Sequence, residues 1–248
     1  MKIIVCIKRV PDTAIKINLA TDGKSVDKKD LEYVVGPYDE IAMEHALRIK
    51  EKVGGEVIAL SLGTSDSEKE LRKCLAMGAD RAILLKTDVD TMNSFAVSQA
   101  LASAIQPEQP DLVLFGIKSV DTDNAQVPAM VSSLLDCPYL TTVVSLDVKD
   151  NAVLAESEVE GGHLLLESSM PCILSIQKSN VEPRICNLIA IRKAKQKKLD
   201  IVDVTVSAES TIVKMEFPAE RSAGKIVGNG VDAVPELMRL LKEEAKVL

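Results

Sequence analysis

The loop at residues 116–127 contains the groups most able to take part in chemistry. Asp121 and Asp123 make this loop acidic, so its side chains are poorly suited to holding a phosphate. The backbone N–H groups from Asn124 to Val127 stand at the start of an apolar helical pattern, where a helix N-terminus favours an anion. We therefore expect these N–H groups to hold a phosphate and the carboxylates to face ribose hydroxyls or adenine nitrogens. The alternative is an ordinary loop whose Asp and Asn residues cap the helix.

The elements around this loop explain why it could bind a nucleotide. Residues 111–115 form a short apolar run, which is typical of a strand buried on both faces of a parallel sheet. Gly116 ends the run, and the helical pattern begins near Ala125. In open α/β sheets, ligands bind outside the carboxyl ends of the strands, which is where the loop would lie.

Strand and helix patterns alternate over residues 1–145 and predict an α/β fold with a doubly wound, mostly parallel sheet. From Tyr139 onward, short strands joined by tight turns predict antiparallel hairpins added at the sheet edge. Residues 199–225 lack a regular pattern, and residues 231–247 show an amphipathic helical pattern, so we expect an extended C-terminal arm that packs on another surface. The expected strands are residues 3–7, 56–62, 81–85, 111–115, 141–148, 152–156, 163–167 and 172–177. The expected helices start at Pro37, near a Ser65/Glu68 capping box, at Thr91 and near Ala125.

Composition excludes several classes of protein. The chain of 248 residues has a formal net charge of −7 and only 2% aromatic residues, which argues against a nucleic-acid-binding protein. Its five cysteines are scattered and its two histidines have no ligand-spaced partners, so we expect reduced thiols and no metal site. No run approaches about 18 apolar residues, and the first apolar run is too short for a signal sequence. We expect no membrane insertion and a cytoplasmic or mitochondrial-matrix-like reducing compartment.

Familiar catalytic and phosphate-binding motifs are missing from the sequence. The triplet at residues 23–25 resembles the end of a phosphate-binding loop, but Asn18 stands where that motif requires a glycine. No Gly-x-Gly-x-x-Gly follows the first strand, no Gly-x-Ser-x-Gly is present, and no histidine accompanies a cysteine in a nucleophile arrangement. We therefore expect no catalytic residue, and a binding or carrier protein is favoured over a hydrolase or transferase.

A basic segment at residues 181–198 has two interpretations. Its cations are Arg184, Arg192, Lys193, Lys195, Lys197 and Lys198. They could form the solvated face of a helix. Because Leu188, Ile189 and Ile191 lie among them, the segment could instead be a docking surface, in which apolar anchors ringed by cations meet an acidic partner.

Four stretches taken together resemble the β (small) subunit of electron transfer flavoproteins. They are residues 7–12 (Ile-Lys-Arg-Val-Pro-Asp), 75–81 (Leu-Ala-Met-Gly-Ala-Asp-Arg), 111–116 with the Asp-x-Asp-x-x-Gln loop that follows, and 182–184 (Glu-Pro-Arg) running into 192–198 (Arg-Lys-Ala-Lys-Gln-Lys-Lys). Their order and spacing fit the family up to about residue 200, and the tail is more divergent.

The resemblance implies a Rossmann-like, adenine-nucleotide-binding domain over residues 1–198, with a recognition loop at 181–195. Residues 199–248 would form an arm that packs on a larger α subunit, which would hold most of the FAD in a heterodimer. That heterodimer would carry electrons from acyl-CoA or related dehydrogenases of fatty-acid β-oxidation towards an electron transfer flavoprotein–quinone oxidoreductase. The chain itself would be an electron-carrier subunit rather than a stand-alone enzyme.

The resemblance also implies which residues form the ligand pocket of the β subunit. In the family, this pocket holds either a structural AMP or, in bifurcating members that oxidise NADH, a second FAD. Matching positions are Cys6, Gly36, Pro37, Tyr38, Asp39, Leu62, Gly116, Val120, Asp121, Asp123, Asn124, Ala125, Gln126 and Val127. Residues 10–13 and 125–127 are closer to the bifurcating group, whereas residues 160–162 and 181–184 are closer to the AMP group, and AMP is slightly favoured.

Two further sets of positions follow from the same resemblance. Thr13 and Tyr38 match positions that face the FAD of the α subunit. The partner-recognition positions are Arg184, Leu188, Arg192, Lys193 and Lys195, with Leu188 as the apolar anchor.

A competing hypothesis from another class is a nucleotide-binding sensor of the universal-stress type, which shares the α/β layout and would need no α subunit.

Overall fold

The computed structural model describes residues 1–88, 93–149, 151–206, 210–220 and 223–248, which form two compact units, Met1–Val213 and Lys214–Leu248. The strands are β1 (Lys2–Cys6), β2 (Arg9–Pro11), β3 (Tyr33–Val35), β4 (Glu56–Gly63), β5 (Arg81–Lys86), β6 (Leu112–Gly116), β7 (Tyr139–Lys149), β8 (Ala152–Val159), β9 (Gly162–Ser169), β10 (Cys172–Ile176) and β11 (Leu199–Asp203). The helices are α1 (Pro37–Val53), α2 (Glu68–Met77), α3 (Ser94–Ile105), α4 (Val127–Leu135), α5 (Leu188–Ala194) and α6 (Val234–Glu243).

A nine-stranded sheet organises the first unit, in the order β11-β5-β4-β1-β6-β10-β7-β8-β9. Neighbouring strands from β11 to β7 pair in parallel, and β7, β8 and β9 pair in antiparallel fashion at one edge. This arrangement confirms the predicted α/β fold with a mostly parallel sheet and an antiparallel edge. The chain runs from β1 to β4 on one side and returns to β6 on the other, so the strand order reverses between β1 and β6.

The position of β10 differs from the sequence-based expectation. The pattern from Tyr139 onward predicted edge hairpins that included residues 172–177, yet β10 lies between β6 and β7 and is parallel to both. All five residues of β10 are buried. A short strand buried on both faces is typical of the interior of a parallel sheet, because helices or loops cover each face.

One predicted helix start differs from the structure, and another cannot be compared with it. The prediction of a Ser65/Glu68 capping box is wrong, because residues Ser65–Ser67 form a short 3₁₀ turn and no side chain caps α2. The predicted start of the next helix at Thr91 lies outside the described residues. The described helix α3 begins at Ser94, and the Asn93 side chain caps it by accepting a hydrogen bond from the Ala96 N–H at 2.7 Å.

Two apolar layers cover the sheet. On one face, α1 and α2 pack against it through buried residues such as Met43, Leu47, Leu71 and Leu75. On the other face, α3 and α4 contribute Leu101, Ile105 and Val131. The continuous apolar strands are therefore buried from both sides, as in a doubly wound fold.

Residues after 198 divide between the two units. β11 pairs in parallel with β5, so residues 199–203 belong to the sheet, and the first unit extends beyond the predicted boundary at 198/199 to Val213. The second unit contains α6, whose Val234, Leu237 and Met238 are largely exposed. The packing of this arm on an α subunit remains a prediction. In the described part of the chain, every helix is too short or too polar to cross a membrane.

Candidate functional site

A cleft lies at the carboxyl ends of β1 and β6, where the strand order reverses. Open α/β sheets bind ligands at this point, because the loops leaving the two strands diverge towards opposite faces. The cleft has an empty volume of about 850 Å³, including space open to solvent.

The cleft brings together eight of the residues predicted from the sequence. They are Cys6, Asp39, Leu62, Gly116, Asn124, Ala125, Gln126 and Val127. Other predicted positions do not line the cleft. Gly36 and Tyr38 lie behind it, against Asp39 and Gly116 respectively, and Asp121 and Asp123 are exposed. Pro37 and Thr13 are exposed, and Val120 is partly buried in the loop.

Asp39 joins the two strand ends that border the cleft. Its carboxylate accepts a hydrogen bond from the Lys8 N–H at 2.9 Å and another from the Gly116 N–H at 3.0 Å. The first follows β1 and the second ends β6, so one side chain bridges the point of reversal. The resemblance placed Asp39 in the ligand pocket, but nothing in the sequence indicated that its side chain joins two strand ends from the first turn of α1.

Burial raises the pKa of Asp39 to about 7, although the hydrogen bonds from the Lys8 and Gly116 amides act in the opposite direction. Burial also raises the pKa of the Cys6 thiol well above its usual range, and the nearby Asp39 adds to this effect. A thiol with a raised pKa is a poor nucleophile. Cys6 is therefore a small apolar wall of the cleft.

Two glycines make room for the Asp39 carboxylate. A Cβ atom added to Gly116 would lie 2.5 Å from Asp39 Oδ1 and 2.7 Å from the Cβ of Tyr38. A Cβ added to Gly36 would lie 2.7 Å from Asp39 Oδ2. These contacts explain both glycines by the close approach of α1 to the ends of β1 and β6.

The acidic loop is matched by two lysines that sequence reasoning did not assign to the site. Lys8 Nζ lies 2.7 Å from Asp121 Oδ2, and Lys118 Nζ lies 2.8 Å from Asp123 Oδ2. Both lysines line the cleft. The mouth of the cleft therefore combines two cations with two carboxylates, and it is less negative than the loop sequence alone suggested.

Helices α3 and α4 begin at the wall of the cleft. The N-terminal residues Ser94 and Val127 line it, and Asn124 Nδ2 donates to Ser94 Oγ at 3.3 Å, which links the two helix starts. Within the described residues, the backbone N–H groups of Ala125, Gln126 and Val127 have no acceptor from the protein. Such N–H groups at a helix N-terminus can receive an anion.

The backbone before α4 adopts a conformation that presents these groups. Asp123 and Ala125 have φ angles of 54° and 52°, in the left-handed region. For alanine, that conformation costs on the order of 1 kcal/mol, and it persists only where surrounding structure holds it. Strain of this kind is frequent at ligand sites.

The apolar wall from α3 was missed by sequence reasoning. Ser94, Val97 and Leu101 line the cleft, one helical turn or less apart. The helix follows β5, so its N-terminus lies at the same sheet edge as the ends of β1 and β6. Topology, rather than a local motif, is the signal that could have found these residues.

The basic segment (residues 181–198) forms a second candidate region. Its apolar side chains are exposed, as the docking interpretation requires: Ile185 is 97% exposed, Leu188 84% and Ile189 67%. Leu188 and Ile189 occupy the first turn of α5, and Ala194 at its end is buried. The segment therefore presents apolar groups outward instead of packing them inside the protein.

The cations of the basic segment divide into two groups. Arg184 donates to both carboxylate oxygens of Glu44, at 2.8 and 3.0 Å, and to Glu51 at 2.7 Å. Burial alone would raise the pKa of Glu44, but the hydrogen bonds from Arg184 and Arg48 outweigh it and lower that pKa. In contrast, the side chains of Arg192, Lys193 and Lys195 are exposed and form no ion pair with the described residues.

Neither region contains a set of groups suited to acid–base or nucleophilic catalysis. His45 is buried on α1, where burial lowers its pKa to about 4, so its imidazole is neutral at neutral pH. The described part of the chain thus combines a cleft, in which three backbone N–H groups lack a protein acceptor, with a segment of exposed apolar and basic side chains.

Comparison with known proteins identifies the family of the chain. The family model described as "Electron transfer flavoprotein domain" matches residues 24–207. The chain is 35% identical to "Electron transfer flavoprotein subunit beta" of Bacillus subtilis and 32% identical to that of Mus musculus, in each case over 100% of this chain and 99% or more of the relative. It is 36% identical, over the whole of both chains, to "Electron transfer flavoprotein subunit beta, mitochondrial" of Arabidopsis thaliana.

Proposed function

Because the chain belongs to the electron transfer flavoprotein family as a β subunit, we propose that it binds AMP as a structural ligand while FAD is held mainly by the α subunit of a heterodimer. In this proposal, the heterodimer accepts electrons from acyl-CoA or related dehydrogenases. It passes them towards an electron transfer flavoprotein–quinone oxidoreductase. Family membership removes the reason for a stand-alone stress sensor.

The observation that carries the nucleotide proposal is the cleft between β1 and β6. Three backbone N–H groups before and at the start of α4 lack protein acceptors among the described residues, and the walls from α3 are apolar. The amides would hold the phosphate, and Val97 and Leu101 would contact the base. Lys8 and Lys118 add positive charge at the mouth, so Asp121 and Asp123 need not repel the phosphate.

The alternative is a bifurcating electron transfer flavoprotein with a second FAD in this cleft and NADH as donor. Both ligands contain the same adenosine phosphate, so the geometry of the amides suits either one. Denaturing the purified heterodimer and quantifying the released nucleotides by chromatography separates them. We expect one FAD and one AMP per heterodimer. Two FAD molecules would reject AMP, and the absence of both AMP and a second FAD would reject the cleft as a nucleotide site.

Thr13 and Tyr38 would lie near the α subunit and its FAD. Thr13 is exposed in a turn that follows β2, and Tyr38 is partly buried beside Gly116. Neither side chain would exchange electrons with the flavin, so their role would be to shape and shield the flavin ring. A heterodimer structure in which both side chains are remote from the α subunit would contradict this assignment.

The basic segment would dock the dehydrogenase. Leu188 is the best candidate for the central anchor, because it is 84% exposed at the start of a helix whose last residue, Ala194, is buried. Arg192, Lys193 and Lys195 would steer the approach of an acidic partner. Arg184 was also expected to contact the partner, but its three hydrogen bonds to Glu44 and Glu51 favour a role in holding the segment in place.

A further inference from the structure

Helix α5 is held by contacts beyond its own turns. It contains seven residues, and isolated helices of this length are unstable in water because nucleation is costly. Its first turn presents Leu188 and Ile189 to solvent, so those side chains do not anchor it. The Asn187 side chain caps its amino end by accepting from the Ala190 N–H at 2.8 Å, and the buried Ala194 and polar contacts at the carboxyl end add further stabilisation.

Arg72 on α2 binds the carboxyl end of α5. Its Nη1 donates to the carbonyl oxygens of Ala194 at 3.0 Å and Lys197 at 2.8 Å. Its Nε and Nη2 donate to Glu68 Oε1, one turn earlier on α2, which fixes the plane of the guanidinium. The last carbonyl groups of a helix lack intrahelical partners, and a cation there also complements the helix dipole.

Lys197 makes the reciprocal contact. It follows α5, and its Nζ donates to the carbonyl oxygens of Leu75 at 3.1 Å and Ala79 at 2.6 Å, at the carboxyl end of α2. Burial lowers the pKa of Lys197, as expected for an ammonium group withdrawn from water. Each of the two helices thus has its carboxyl end capped by a cation of the other.

These contacts complete the restraint of the basic segment. Arg184 holds it before α5 through Glu44 and Glu51, and the Arg72–Lys197 pair holds it after α5. The exposed Leu188 lies between the two points. A side chain that must enter a partner's pocket gains affinity when its backbone is fixed before binding, since less entropy is lost on association.

We propose that Arg72 and Lys197 are positioning residues for partner docking, because their reciprocal caps of α2 and α5 fix the helix that presents Leu188. This inference rests on the proposed docking role of the basic segment. It assigns a function to Arg72, which lies on α2 outside that segment. Neither residue would contact the flavin or the dehydrogenase pocket.

The test uses the purified heterodimer carrying Arg72→Leu, Arg72→Lys or the matched control Lys69→Leu. Lys69 lies three residues earlier on α2, and its side chain makes no hydrogen bond or ion pair with the described residues. The control therefore removes the same charge from α2 without removing a cap of α5. The readouts are hydrogen–deuterium exchange of the amides at residues 188–195, flavin content, and KM and kcat with a purified acyl-CoA dehydrogenase as electron donor.

For Arg72→Leu we expect at least tenfold faster exchange at residues 191–195 and at least a fivefold higher KM, with kcat and flavin content within twofold of wild type. Arg72→Lys, which keeps one donor to the carbonyls, should recover part of both effects, and Lys69→Leu should show neither. Unchanged exchange in Arg72→Leu would overturn the positioning role, as would faster exchange with unchanged KM. If Arg72→Leu yields no folded heterodimer, Lys197→Gln is measured instead and judged by the same criteria. This variant removes the ammonium group that donates to the Leu75 and Ala79 carbonyls.

Leu188→Ala in the same assay separates this inference from the proposed function. If Leu188→Ala raises KM and Arg72→Leu does not, docking stands and positioning is wrong. If neither variant raises KM although exchange increases in Arg72→Leu, the docking role of the segment is wrong, and the positioning role falls with it.

Discussion

The cleft and the basic segment are built in opposite ways. The cleft consists of strand ends and helix starts brought within hydrogen-bonding distance, and its groups for binding an anion are backbone amides. The basic segment consists of exposed side chains on a short helix, and side chains from α1 and α2 hold it in place. A site made from backbone depends on small residues that permit close approach, whereas a site made from side chains depends on the groups that anchor them.

This difference has consequences for mutation. In the cleft, adding atoms should be the most damaging change, because Gly116 and Gly36 leave no space for a Cβ beside Asp39. In the basic segment, removing atoms should matter most, because affinity depends on a few exposed anchors. The following predictions test whether the two regions respond in these two ways, beginning with the largest effect.

Gly116→Val should have the largest effect. Its Cβ would overlap Asp39 Oδ1 and the Tyr38 side chain, so the end of β6 must move away from α1. We expect destabilisation of about 3 kcal/mol or more and loss of the bound nucleotide, measured by thermal unfolding and nucleotide release from the heterodimer. Gly162→Val is the control, since no heavy atom lies within 4 Å of an added Cβ there. Equal effects of the two substitutions would refute the steric explanation.

Asp39→Asn should cost about 1–3 kcal/mol, because one of two buried backbone N–H groups would face the amide NH₂ instead of an acceptor. The size of this deficit should depend on pH. Asp39 has a folded-state pKa of about 7 and an ordinary value of 3.8. Between these values the native state binds more protons than the unfolded state, so its contribution to stability is present at low pH and is lost as pH rises towards 7.

The deficit of the Asn variant should therefore shrink between about pH 4 and pH 7. The measurement compares the thermal unfolding midpoints of wild type and Asp39→Asn across this range. Parallel pH profiles for the two proteins would show that Asp39 does not titrate with a raised pKa, and the cleft would then contain a permanent negative charge.

Leu188→Ala should weaken docking by about 2 kcal/mol, or roughly thirtyfold in the KM for the carrier, if the residue is a central anchor. Because Leu188 is 84% exposed, we expect no change in thermal stability or flavin content. Leu165→Ala on β9 is the matched control, as Leu165 is 86% exposed and lies outside the basic segment. A lower unfolding temperature with unchanged KM would show that Leu188 packs within the β subunit and does not contact the partner.

Replacing Arg192, Lys193 and Lys195 together with glutamine should have the smallest effect on the stability of the complex. Exposed charges of this kind contribute at most about 1 kcal/mol each, and they act mainly on the association rate. We expect slower association at low salt and a flatter salt dependence, measured by stopped-flow mixing. Lys198→Gln is the control, because Lys198 already pairs with Asp200 at 2.8 Å. An unchanged salt dependence in the triple variant would show that these three residues do not steer the association.

Local pattern predicted most of the fold but less of the site. Apolar runs identified β1, β4, β5 and β6, because a strand buried on both faces has a distinctive composition. The pattern could not show that β10 enters the middle of the sheet or that β11 extends it. Those positions are set by pairing between strands that are distant in sequence.

The same limit applies to side-chain partners. The acidic loop was visible in the sequence, but the lysine that pairs with Asp121 comes from the end of β1, more than a hundred residues earlier. The resemblance placed Asp39 in the pocket, but its burial follows from the two strand ends that α1 meets, which no local pattern reveals. The exposed apolar residues of α5 were foreseeable, whereas the caps supplied by Arg72 and Lys197 were not.

The two regions lie mainly on opposite faces of the sheet, although Asp39 of α1 also lines the cleft. The basic segment is anchored on α1 and α2, which cover one face, while the cleft takes its walls from the starts of α3 and α4, which cover the other. Under the proposed function, a partner that engages α5 alone would leave those walls uncovered. The nucleotide would then leave and enter the cleft at the same rate in the free and in the docked heterodimer.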